Sequence, residues 1–592
     1  MVEGWKLICF LLVGLTLEVY SQVPSSTATY PFNKTERIKK FLASFTNPAE
    51  LEYIRQGLQT LRNQEQQSFA SVNHVSQDDL KYIQNLQILH QQLDPKNASY
   101  KFKSIEEMNK GLEDYLYEGD ILLSRQQIDE MTNLRKKRQA LPLDSRWDKT
   151  KPIYYRFDSY LDSAVPPLFR IGAKFWSDNT CLNFVETKST SSIRVFDGTG
   201  TSTGCFSGGG RFTTDISISA SSGCNYFGII THEIAHALGI MHEQIRYDRD
   251  DFITPIPSNM NAFYLKYFLN QKLSYSNSNN FGLPYDWGSN MHYRPVNDEN
   301  QIIALAKDRF YQSSMGRAMA PSFRDIYLMN VYYNCLCTSG ATCQNGGFRH
   351  PRNCNICICP SGLGGTVCNE RPKAENGAAD IGAILSATAN YQTLSGKIGD
   401  PQRILQRAQA VHWHIYAPQG KSIEITILSV SGYCYYGCGY GSLDVKVKNF
   451  FIEGVRYCCP SDVAANPVLI SQGSFAAVSL YNQAYGQGFS LKYRYTNPPP
   501  TTKTTTTTTT TTTRKPCVDI ATNCVTNVAL CSNNLYLEIM KEKCPKTCGY
   551  CNSGNKNCSD LATNCVTNVA LCYNNVYQQL MKEKCYKTCR YC

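Results

Sequence analysis

The sequence lacks two features that would place it in large functional classes. After residue 21, none of its apolar segments approaches the roughly 20 apolar residues that a membrane-spanning helix needs. It also lacks a concentration of charge of one sign, because the net charge is +11 over 592 residues and the basic residues are scattered. We therefore expect no membrane insertion and no nucleic-acid binding.

Cysteine is missing from residues 22–138 but abundant elsewhere, with 27 in the whole chain. This abundance is typical of proteins that form disulfides in an oxidising compartment, and it argues against a cytosolic enzyme. The N-terminus has the layout of a secretory signal peptide at residues 1–21, with Lys6 before the apolar stretch Leu7–Leu17 and the small residue Ser21 after it. A buried hydrophobic element is the alternative. We expect a secreted, extracellular, multidomain protein.

The cysteine-free region, residues 22–138, has leucine and isoleucine at helical spacing and is predicted to be a separate helical segment. It ends in the basic run Arg135–Arg138, which suits a processing protease. Cleavage after Arg138 would make the region a propeptide; a solvated run of charge is the alternative. Asn33 and Asn97 lie in sequons and are candidate glycosylation sites.

The C-terminal part of the chain is divided by a tract that cannot form a core. Residues 497–516 are rich in proline and threonine, and we expect an extended linker there. Beyond it, the segment Ala521–Cys531 recurs letter for letter at Ala562–Cys572. We therefore expect two copies of one small unit, residues 517–551 and 558–592, each too small to fold without its disulfides.

The most informative segment is Thr231–Glu243, which contains the pattern HExxHxxGxxHE. On a helix, His232 and His236 project from the same side, so both can bind one zinc ion. A third histidine cannot join them while the helix continues. Gly239 can adopt a positive φ, end the helix and return the chain, so that His242 becomes the third ligand.

Three protein ligands leave one zinc position open, which distinguishes a catalytic zinc site from a closed structural one. Zinc lowers the pKa of a bound water to about 7. Glu233, next to the first ligand, can accept the proton of that water as a general base, and the hydroxide can attack a peptide carbonyl. The pattern predicts a zinc-dependent peptidase; a chance match on a surface helix is the alternative.

The pattern resembles that of the metzincins, and Glu243 directly after the third histidine is similar to the astacin family. A second match, Ser289–Tyr293, resembles the Met-turn of that family. The resemblance implies that Met291 is an apolar floor under one zinc ion. It also implies that the Tyr293 hydroxyl ligates zinc at rest and hydrogen-bonds the developing oxyanion during turnover. The implied catalytic domain is an α+β astacin-like metzincin domain at residues 139–336.

Tyr117–Asp120 resembles the Phe-x-Gly-Asp motif of astacin propeptides, with Tyr in place of Phe. The aspartate of that motif ligates zinc in place of water, which makes Asp120 the candidate latency ligand; a simple Gly-Asp turn is the alternative. The resemblance also implies that cleavage after Arg138 frees Gln139 as a new N-terminus. That ammonium would insert near Glu243, since a buried charge needs a partner.

One segment departs from the family. Met315–Ala318 stands where astacins usually have a Gly-Gln-Arg type of sequence, near the pocket for the side chain after the scissile bond. Astacins commonly prefer a substrate with an acidic side chain at that position. This preference is left open for the present chain, and Arg317 is the candidate substitute for the usual family sequence. The family pattern would pair Cys181 with Cys335 and Cys205 with Cys224, although spacing alone permits three pairings.

The C-terminal regions resemble known extracellular modules. Residues 337–370 resemble an EGF-like module, and the alternating apolar and polar residues of 371–496 resemble a CUB β-sandwich. The two tail repeats resemble ShKT modules. Related modules that block ion channels carry a Lys-Tyr pair. Both repeats have other residues at those two positions, so we expect docking to substrate or matrix rather than channel block. His412 and His414 share one face of a predicted strand. We expect these side chains to pack on the sheet rather than to bind a metal ion.

The resemblances also imply further disulfides, while the pairing of the CUB-like cysteines stays open. The implied pairs are Cys337–Cys354, Cys343–Cys357, Cys359–Cys368, Cys517–Cys551, Cys524–Cys544, Cys531–Cys548, Cys558–Cys592, Cys565–Cys585 and Cys572–Cys589.

Together these observations predict a secreted, zymogen-processed zinc endopeptidase that carries EGF-like, CUB-like and two ShKT modules. Extracellular proteins, such as cuticle or matrix proteins, are the expected substrates, by family analogy. The alternative is an inactive, protease-derived matrix-binding protein. It is disfavoured because His232, Glu233, His236, His242 and Tyr293 are all present.

Overall fold

The computed structural model describes most of the chain up to residue 498 and a few residues beyond it. The described ranges are 38–41, 48–66, 76–91, 103–132, 146–189, 192–199, 204–210, 216–261, 279–297, 299–316 and 319–498, with the single residues 264, 265, 268, 547, 560, 565, 581, 584, 585 and 588. The chain divides into two units, Met1–Pro499 and Pro500–Cys592. The predicted signal peptide, the basic run at 135–138, the sequons at Asn33 and Asn97, and the linker at 499–516 lie outside the described residues.

The first unit contains eight α-helices with described bounds, a further helical segment at 38–41, and nineteen strands. The helices are α1 (Pro48–Gln66), α2 (Gln77–Gln91), α3 (Ile105–Met108), α4 (Arg125–Thr132), α5 (Val165–Asn179), α6 (Phe227–Ala237), α7 (Phe323–Tyr332) and α8 (Pro460–Ala465). The first ten strands are β1 (Ile121–Leu122), β2 (Ile153–Phe157), β3 (Phe184–Glu186), β4 (Ile193–Phe196), β5 (Cys205–Gly208), β6 (Ser217–Ala220), β7 (Ile253–Pro255), β8 (Ala304–Ala306), β9 (Phe348–His350) and β10 (Asn353–Ile358). The remaining strands are β11 (Ile384–Ser386), β12 (Gln392–Ile398), β13 (Ile404–Tyr416), β14 (Ser422–Ser431), β15 (Gly441–Lys446), β16 (Val455–Tyr457), β17 (Val468–Ile470), β18 (Phe475–Ala484) and β19 (Gln487–Thr496).

A six-stranded sheet with the order β1-β5-β6-β4-β2-β3 forms the centre of the N-terminal half. Its strands pair in parallel except for β5, which is antiparallel to β6. The edge strand β1 comes from the predicted propeptide. Residues on the two sides of the predicted cleavage position therefore share one sheet.

Helices α5 and α6 pack against this sheet. All residues of α6 are buried, whereas α5 alternates between a buried and an exposed face. Gly172 lets the two helices approach closely, because a Cβ there would lie 2.9 Å from Ile230 Cγ2. The indole of Trp176 also donates to Thr231 O at 3.0 Å, which fixes α5 to the turn of α6 that carries the first histidine.

The N-terminal region packs on the sheet through its own small core. The helical spacing of apolar residues in α1 places Leu51, Ile54, Leu58 and Leu61 on one buried face. This face contacts residues of 112–128 and, together with Phe41, the edge of the sheet. Helix α1 therefore stabilises the segment that contains β1.

Residues 384–496 form two sheets, one of five strands in the order β11-β13-β18-β15-β16 and one of four in the order β12-β19-β14-β17. Alternate residues of β14, Ile423, Ile425 and Ile427, are buried between the sheets, together with Trp413 of β13. The period of two is the one expected for a half-buried strand. The region is a β-sandwich, and its core continues into that of the residues before 336.

Disulfides join the described cysteines in pairs. The structure contains Cys181–Cys335, Cys205–Cys224, Cys337–Cys354, Cys343–Cys357, Cys359–Cys368, Cys434–Cys459 and Cys438–Cys458 in the first unit, and Cys565–Cys585 in the second. The two pairs at 434–459 and 438–458 are those that the sequence left open. The other tail cysteines lie outside the described residues. No described helix has the length and apolar character needed to cross a bilayer.

Candidate active site

Helix α6 and the turn after it bring three histidines together. Gly239 has a φ of +94° and ends the helix, and its N–H donates to His236 O at 2.8 Å. The chain then turns back, so that His242 Nε2 lies 3.3 Å from His236 Nε2. His232 Nε2 lies 2.9 Å from the same atom. The three ring nitrogens converge on one point.

Each imidazole is oriented by a hydrogen bond from its other ring nitrogen. His232 Nδ1 donates to Asn290 O and His236 Nδ1 donates to Ile240 O, both at 2.7 Å. His242 Nδ1 donates to Glu118 Oε2 at 2.6 Å. A neutral imidazole that donates through Nδ1 presents a lone pair at Nε2. All three lone pairs therefore point to the same place, as in a metal site with oriented ligands.

Asp120 completes the group. Its Oδ2 lies 3.2 Å from His232 Nε2 and 3.1 Å from His242 Nε2, and its Oδ1 lies 3.5 Å from His236 Nε2. All four residues are buried and could hold a metal ion. Burial lowers the pKa of His242 to about 3, against the opposing charge of Asp120.

These donors fit zinc. In a tetrahedral zinc site with Zn–N bonds of about 2.0–2.1 Å, the ligand nitrogens lie about 3.3 Å apart. The observed separations of 2.9 and 3.3 Å are close to that value. Three neutral lone pairs and a carboxylate at such distances repel one another without a cation between them. The donor set therefore matches one zinc ion held by His232, His236 and His242, with Asp120 in the fourth position.

Glu233 lies next to the first histidine and is fully buried. Within the described part of the chain, neither of its carboxylate oxygens has a hydrogen-bond partner. Burial raises the pKa of Glu233 well above its ordinary value, and the charge of Asp120 adds to the effect. An unsatisfied buried carboxyl group is costly, so its presence beside the histidines makes Glu233 a candidate functional residue.

The segment Ser289–Tyr293 contacts two of the histidines, through Asn290 O at His232 and through the ring of Tyr293 at His242. Met291 is 3% exposed and lies in the main core cluster. The ring of Tyr293 lies 4.4 Å from that of His242, and its hydroxyl donates to the carbonyl of Glu118. His292 bonds the Tyr285 hydroxyl instead of facing the histidines. Tyr293 therefore lies beside His242, and its hydroxyl is bonded by the N-terminal region. The role of Met291 as a floor under the metal stays a prediction.

Two residues of the site were not predicted from the sequence. Glu118 holds His242, as described above, and its signal was its position two residues before Asp120. Asp325 accepts hydrogen bonds from Ser289 Oγ at 2.6 Å and from Asn290 N at 2.8 Å. It thereby fixes the carbonyl that orients His232. The sequence offered no signal for Asp325, because it lies far along the chain from the motif.

Glu243, the predicted anchor of the new N-terminus, is buried among arginines. Its Oε1 accepts from Arg246 Nη1 at 2.9 Å and from Asp286 N at 3.0 Å. Its Oε2 accepts from Arg324 Nη1 at 2.8 Å. Gln139 lies outside the described residues, so its predicted contact with Glu243 stays a prediction.

Other predicted sites lie elsewhere. Arg317 is outside the described residues, while its neighbour Gly316 has a φ of +86° and packs against Arg294. His412 bonds Ser479 Oγ at 2.8 Å, and His414 bonds a backbone carbonyl at 2.8 Å. The described structure therefore does not bring these two histidines into a metal-binding group.

Sequence comparison agrees with this geometry. A family model described as Astacin, a peptidase family, matches residues 140–334, and one described as ShK domain-like matches residues 516–551 and 557–592. The chain is 34% identical to zinc metalloproteinase nas-31 of Caenorhabditis elegans over 479 residues, 76% of this chain and 75% of that protein. It is 34% identical to zinc metalloproteinase nas-28 of the same organism over 428 residues, 68% of this chain and 82% of that protein.

A solved structure is similar to part of the chain. High choriolytic enzyme 1, a hatching enzyme zinc-protease from the medaka fish Oryzias latipes, matches with 28% sequence identity and a TM-score of 0.30. The match covers 33% of this chain and 98% of the fish enzyme.

Proposed function

The chain belongs to the astacin family of zinc metalloproteinases, and from this premise we propose that it is a secreted zymogen that becomes active by cleavage after Arg138. As a member of that family it is a zinc metalloendopeptidase, and it carries two ShK-like modules at its C-terminus. The proposal adds three points: what keeps the chain latent, which residues perform the hydrolysis, and where the enzyme acts.

The position of Asp120 carries the zymogen proposal. Its Oδ2 lies within 3.2 Å of two histidine nitrogens, where a catalytic zinc site needs its open position for water. Asp120 precedes the basic run that ends at Arg138. Cleavage there would separate this carboxylate from the histidines, and the fourth position would become available.

A second contact of the N-terminal region supports latency. Ile121 and Leu122 pair in parallel with Ser207 and Gly208 on strand β5. An extended substrate that adds to the same edge by backbone hydrogen bonds must displace them. Release of the N-terminal region would therefore uncover both the metal centre and the edge of the sheet.

Glu233 is proposed as the general base. Bound zinc would supply Lewis-acid activation of water and of the scissile carbonyl. The Glu233 carboxylate would accept a proton from the attacking water and then donate it to the leaving amine.

Tyr293 is proposed to stabilise the transition state. Its hydroxyl now donates to the carbonyl of Glu118, a residue that leaves with the N-terminal region. Once that acceptor is gone, the hydroxyl can donate to the oxygen that becomes negative during attack. Burial raises the pKa of Tyr293 well above its ordinary value, so the hydroxyl keeps its proton at neutral pH.

Secretion is proposed from the disulfides and from the signal peptide predicted at residues 1–21. Residues 337–370 and 371–496 are proposed to be EGF-like and CUB-like modules, supported by the three disulfides of the first and the β-sandwich of the second. With the ShK-like modules they would hold the enzyme at extracellular protein substrates, such as cuticle or matrix proteins.

The test of the catalytic roles uses the chain cut after Arg138. It should hydrolyse a protein substrate, and a zinc chelator should stop hydrolysis reversibly. Glu233→Gln should lower the rate constant by about 10²–10⁴-fold, because the general base is lost, while zinc content stays that of the wild type. Full activity in Glu233→Gln would contradict the role proposed for Glu233. A cut chain that binds zinc without hydrolysing any protein would favour the inactive matrix-binding alternative.

A further inference from the structure

A seam lies between the peptidase domain and the β-sandwich, and parts of the N-terminal region fill it. We define the seam by Arg294 and Arg309 of the peptidase domain and by Tyr435 and Tyr436 of the sandwich. The N-terminal region contributes an acidic side chain to each arginine. The seam therefore has charged groups at both ends.

The Arg294 end joins three parts of the chain. The guanidinium is 3% exposed, and its Nη2 lies 3.4 Å from Glu107 Oε2. Its Nη1 donates to Tyr435 Oη at 2.7 Å, and the Tyr435 hydroxyl donates to the same Glu107 oxygen at 3.1 Å. Among described residues, Nε of Arg294 has no hydrogen-bond partner. One carboxylate of the N-terminal region is thus shared by an arginine and a tyrosine from different domains.

The Arg309 end is similar. Arg309 Nη2 forms an ion pair with Asp79, and the guanidinium carbon lies 4.9 Å from the ring centroid of Tyr82. The arginine is held from its own side as well, because Nη1 donates to Ala306 O at 3.0 Å. Asn466 of the sandwich donates to Arg309 O at 3.2 Å. Arg309 is therefore positioned by groups that stay when Asp79 leaves.

The middle of the seam is apolar. Ile83 is 4% exposed and packs in a cluster with Ile256, Val296 and Tyr436. Asp79, Tyr82 and Ile83 are three and four residues apart on α2, so they share one helix face. That face presents an acid, an aromatic ring and an aliphatic side chain to the seam.

Cleavage after Arg138 would separate the two partners of each of these contacts. Asp79 and Glu107 precede Arg138, whereas both arginines and both tyrosines follow it. When the N-terminal region leaves, the arginines lose these two carboxylates. The side chains of Arg294 and Arg309 are 3% and 29% exposed in the uncut chain. Without the two carboxylates, their positive charges make the seam complementary to another acidic segment.

We propose that the seam of the processed enzyme is a docking site for an acidic, partly apolar segment of the protein substrate, separate from the residues that flank the scissile bond. The proposal rests on the proposed release of the N-terminal region. The occupant in the uncut chain defines the chemistry that fits: a carboxylate followed, three and four residues later, by an aromatic and an aliphatic side chain. The sandwich then contributes to substrate selection directly, through Tyr435 and Tyr436.

Peptide binding tests the proposal. The probe is a fluorescent peptide with the sequence of residues 77–91, QDDLKYIQNLQILHQ, added to the processed chain 139–592. We expect saturable binding in fluorescence anisotropy. Asp79→Asn in the peptide and Arg309→Gln in the enzyme should each weaken it by at least about tenfold. The peptide variant leaves the enzyme unaltered, so it remains decisive if Arg309→Gln folds poorly.

Arg170→Gln is the matched control, because Arg170 pairs with Glu186 on the peptidase surface; it should bind the peptide like the wild type. Binding needs no turnover and should persist with a zinc chelator, so its outcome is separate from that of the catalytic roles. The peptide should also slow hydrolysis of an acidic protein but not of a short fluorogenic peptide. Absence of saturable binding, equal binding of the Asp79→Asn peptide, or equal inhibition of both substrates would overturn the proposal.

Discussion

Glu118 illustrates how much of the candidate site depends on one backbone conformation. Its φ of +54° is in the left-handed region, which non-glycine residues seldom adopt. In this conformation its carboxylate accepts from His242 and its carbonyl accepts from Tyr293. The motif Tyr117–Asp120 contains Glu118, but its resemblance to the family motif pointed only to Asp120. Glu118, in this strained conformation, therefore hydrogen-bonds both His242 and Tyr293.

Substitution Glu118→Gln tests this role in the uncut chain. A neutral amide orients His242 less strongly than a carboxylate, so the zinc affinity of the uncut chain should fall by about 10–100-fold. Competition with a chromophoric chelator measures it. The processed form, which lacks residue 118, should bind zinc like the processed wild type. Unchanged affinity in the uncut variant would contradict the assigned role.

At the scale of helices and strands, the periodicity and spacing of residues predicted the features that depend on residues close together in the sequence. The apolar face of α1, the histidine-bearing helix α6 and the alternation in β14 all follow from patterns in neighbouring residues. Pairing of β1 with β5 and the contact of Asp325 with the Met-turn join residues far apart in the chain. No local pattern specifies such contacts, and the resemblance to a family left the disulfides of the sandwich open.

The end of α6 provides a sharp test of an element boundary. Gly239 has a φ of +94°, and a Cβ there would lie 2.9 Å from the Tyr332 hydroxyl oxygen. Gly239→Ala should therefore destabilise the chain by about 1–2 kcal/mol and shift His242 away from the other histidines. Denaturant unfolding and zinc content measure the two effects. Gly473→Ala is the control, because that Cβ would have no atom within 4 Å. Wild-type zinc affinity in Gly239→Ala would contradict the role of the turn.

At the scale of the whole molecule, the domains are joined through buried acids. Asp286 of the peptidase domain and Glu453 of the sandwich are each 1% exposed, and Glu453 N donates to Asp286 Oδ1 at 3.2 Å. Gly288 permits this approach, because a Cβ there would lie 2.3 Å from Glu453 Cβ. Ser361, from the predicted EGF-like module, donates to Glu453 Oε1 at 2.7 Å. Three regions therefore meet at one pair of carboxyl groups.

This pair makes stability depend on pH. Burial, and then the charges of Glu453 and Asp325, raise the pKa of Asp286 from 3.8 to about 7. An acid whose pKa rises on folding loses stability on ionisation, so its contribution falls between about pH 4 and 7 and stays lost above pH 7. Asp286→Asn should therefore be more stable than the wild type at pH 8, by about 2–4 kcal/mol, with a much smaller difference at pH 4.

Denaturant unfolding of both proteins across this range measures the difference. Asp178→Asn is the control, because Asp178 forms an exposed ion pair with Lys174. A constant difference between Asp286→Asn and the wild type from pH 4 to 8 would contradict the raised pKa of Asp286.

Separation of Asp120 from the three histidines is the step that should convert the latent chain into an active enzyme. The most direct measurement is the initial rate of hydrolysis of a fluorogenic protein substrate, before and after cleavage that leaves Gln139 as the N-terminus, verified by mass spectrometry. The rate should rise by at least about 10²-fold, zinc chelation should abolish it, and the uncut Asp120→Ala chain should show partial activity. Equal rates before and after cleavage, or a cut chain that holds zinc but remains inactive, would contradict this mechanism.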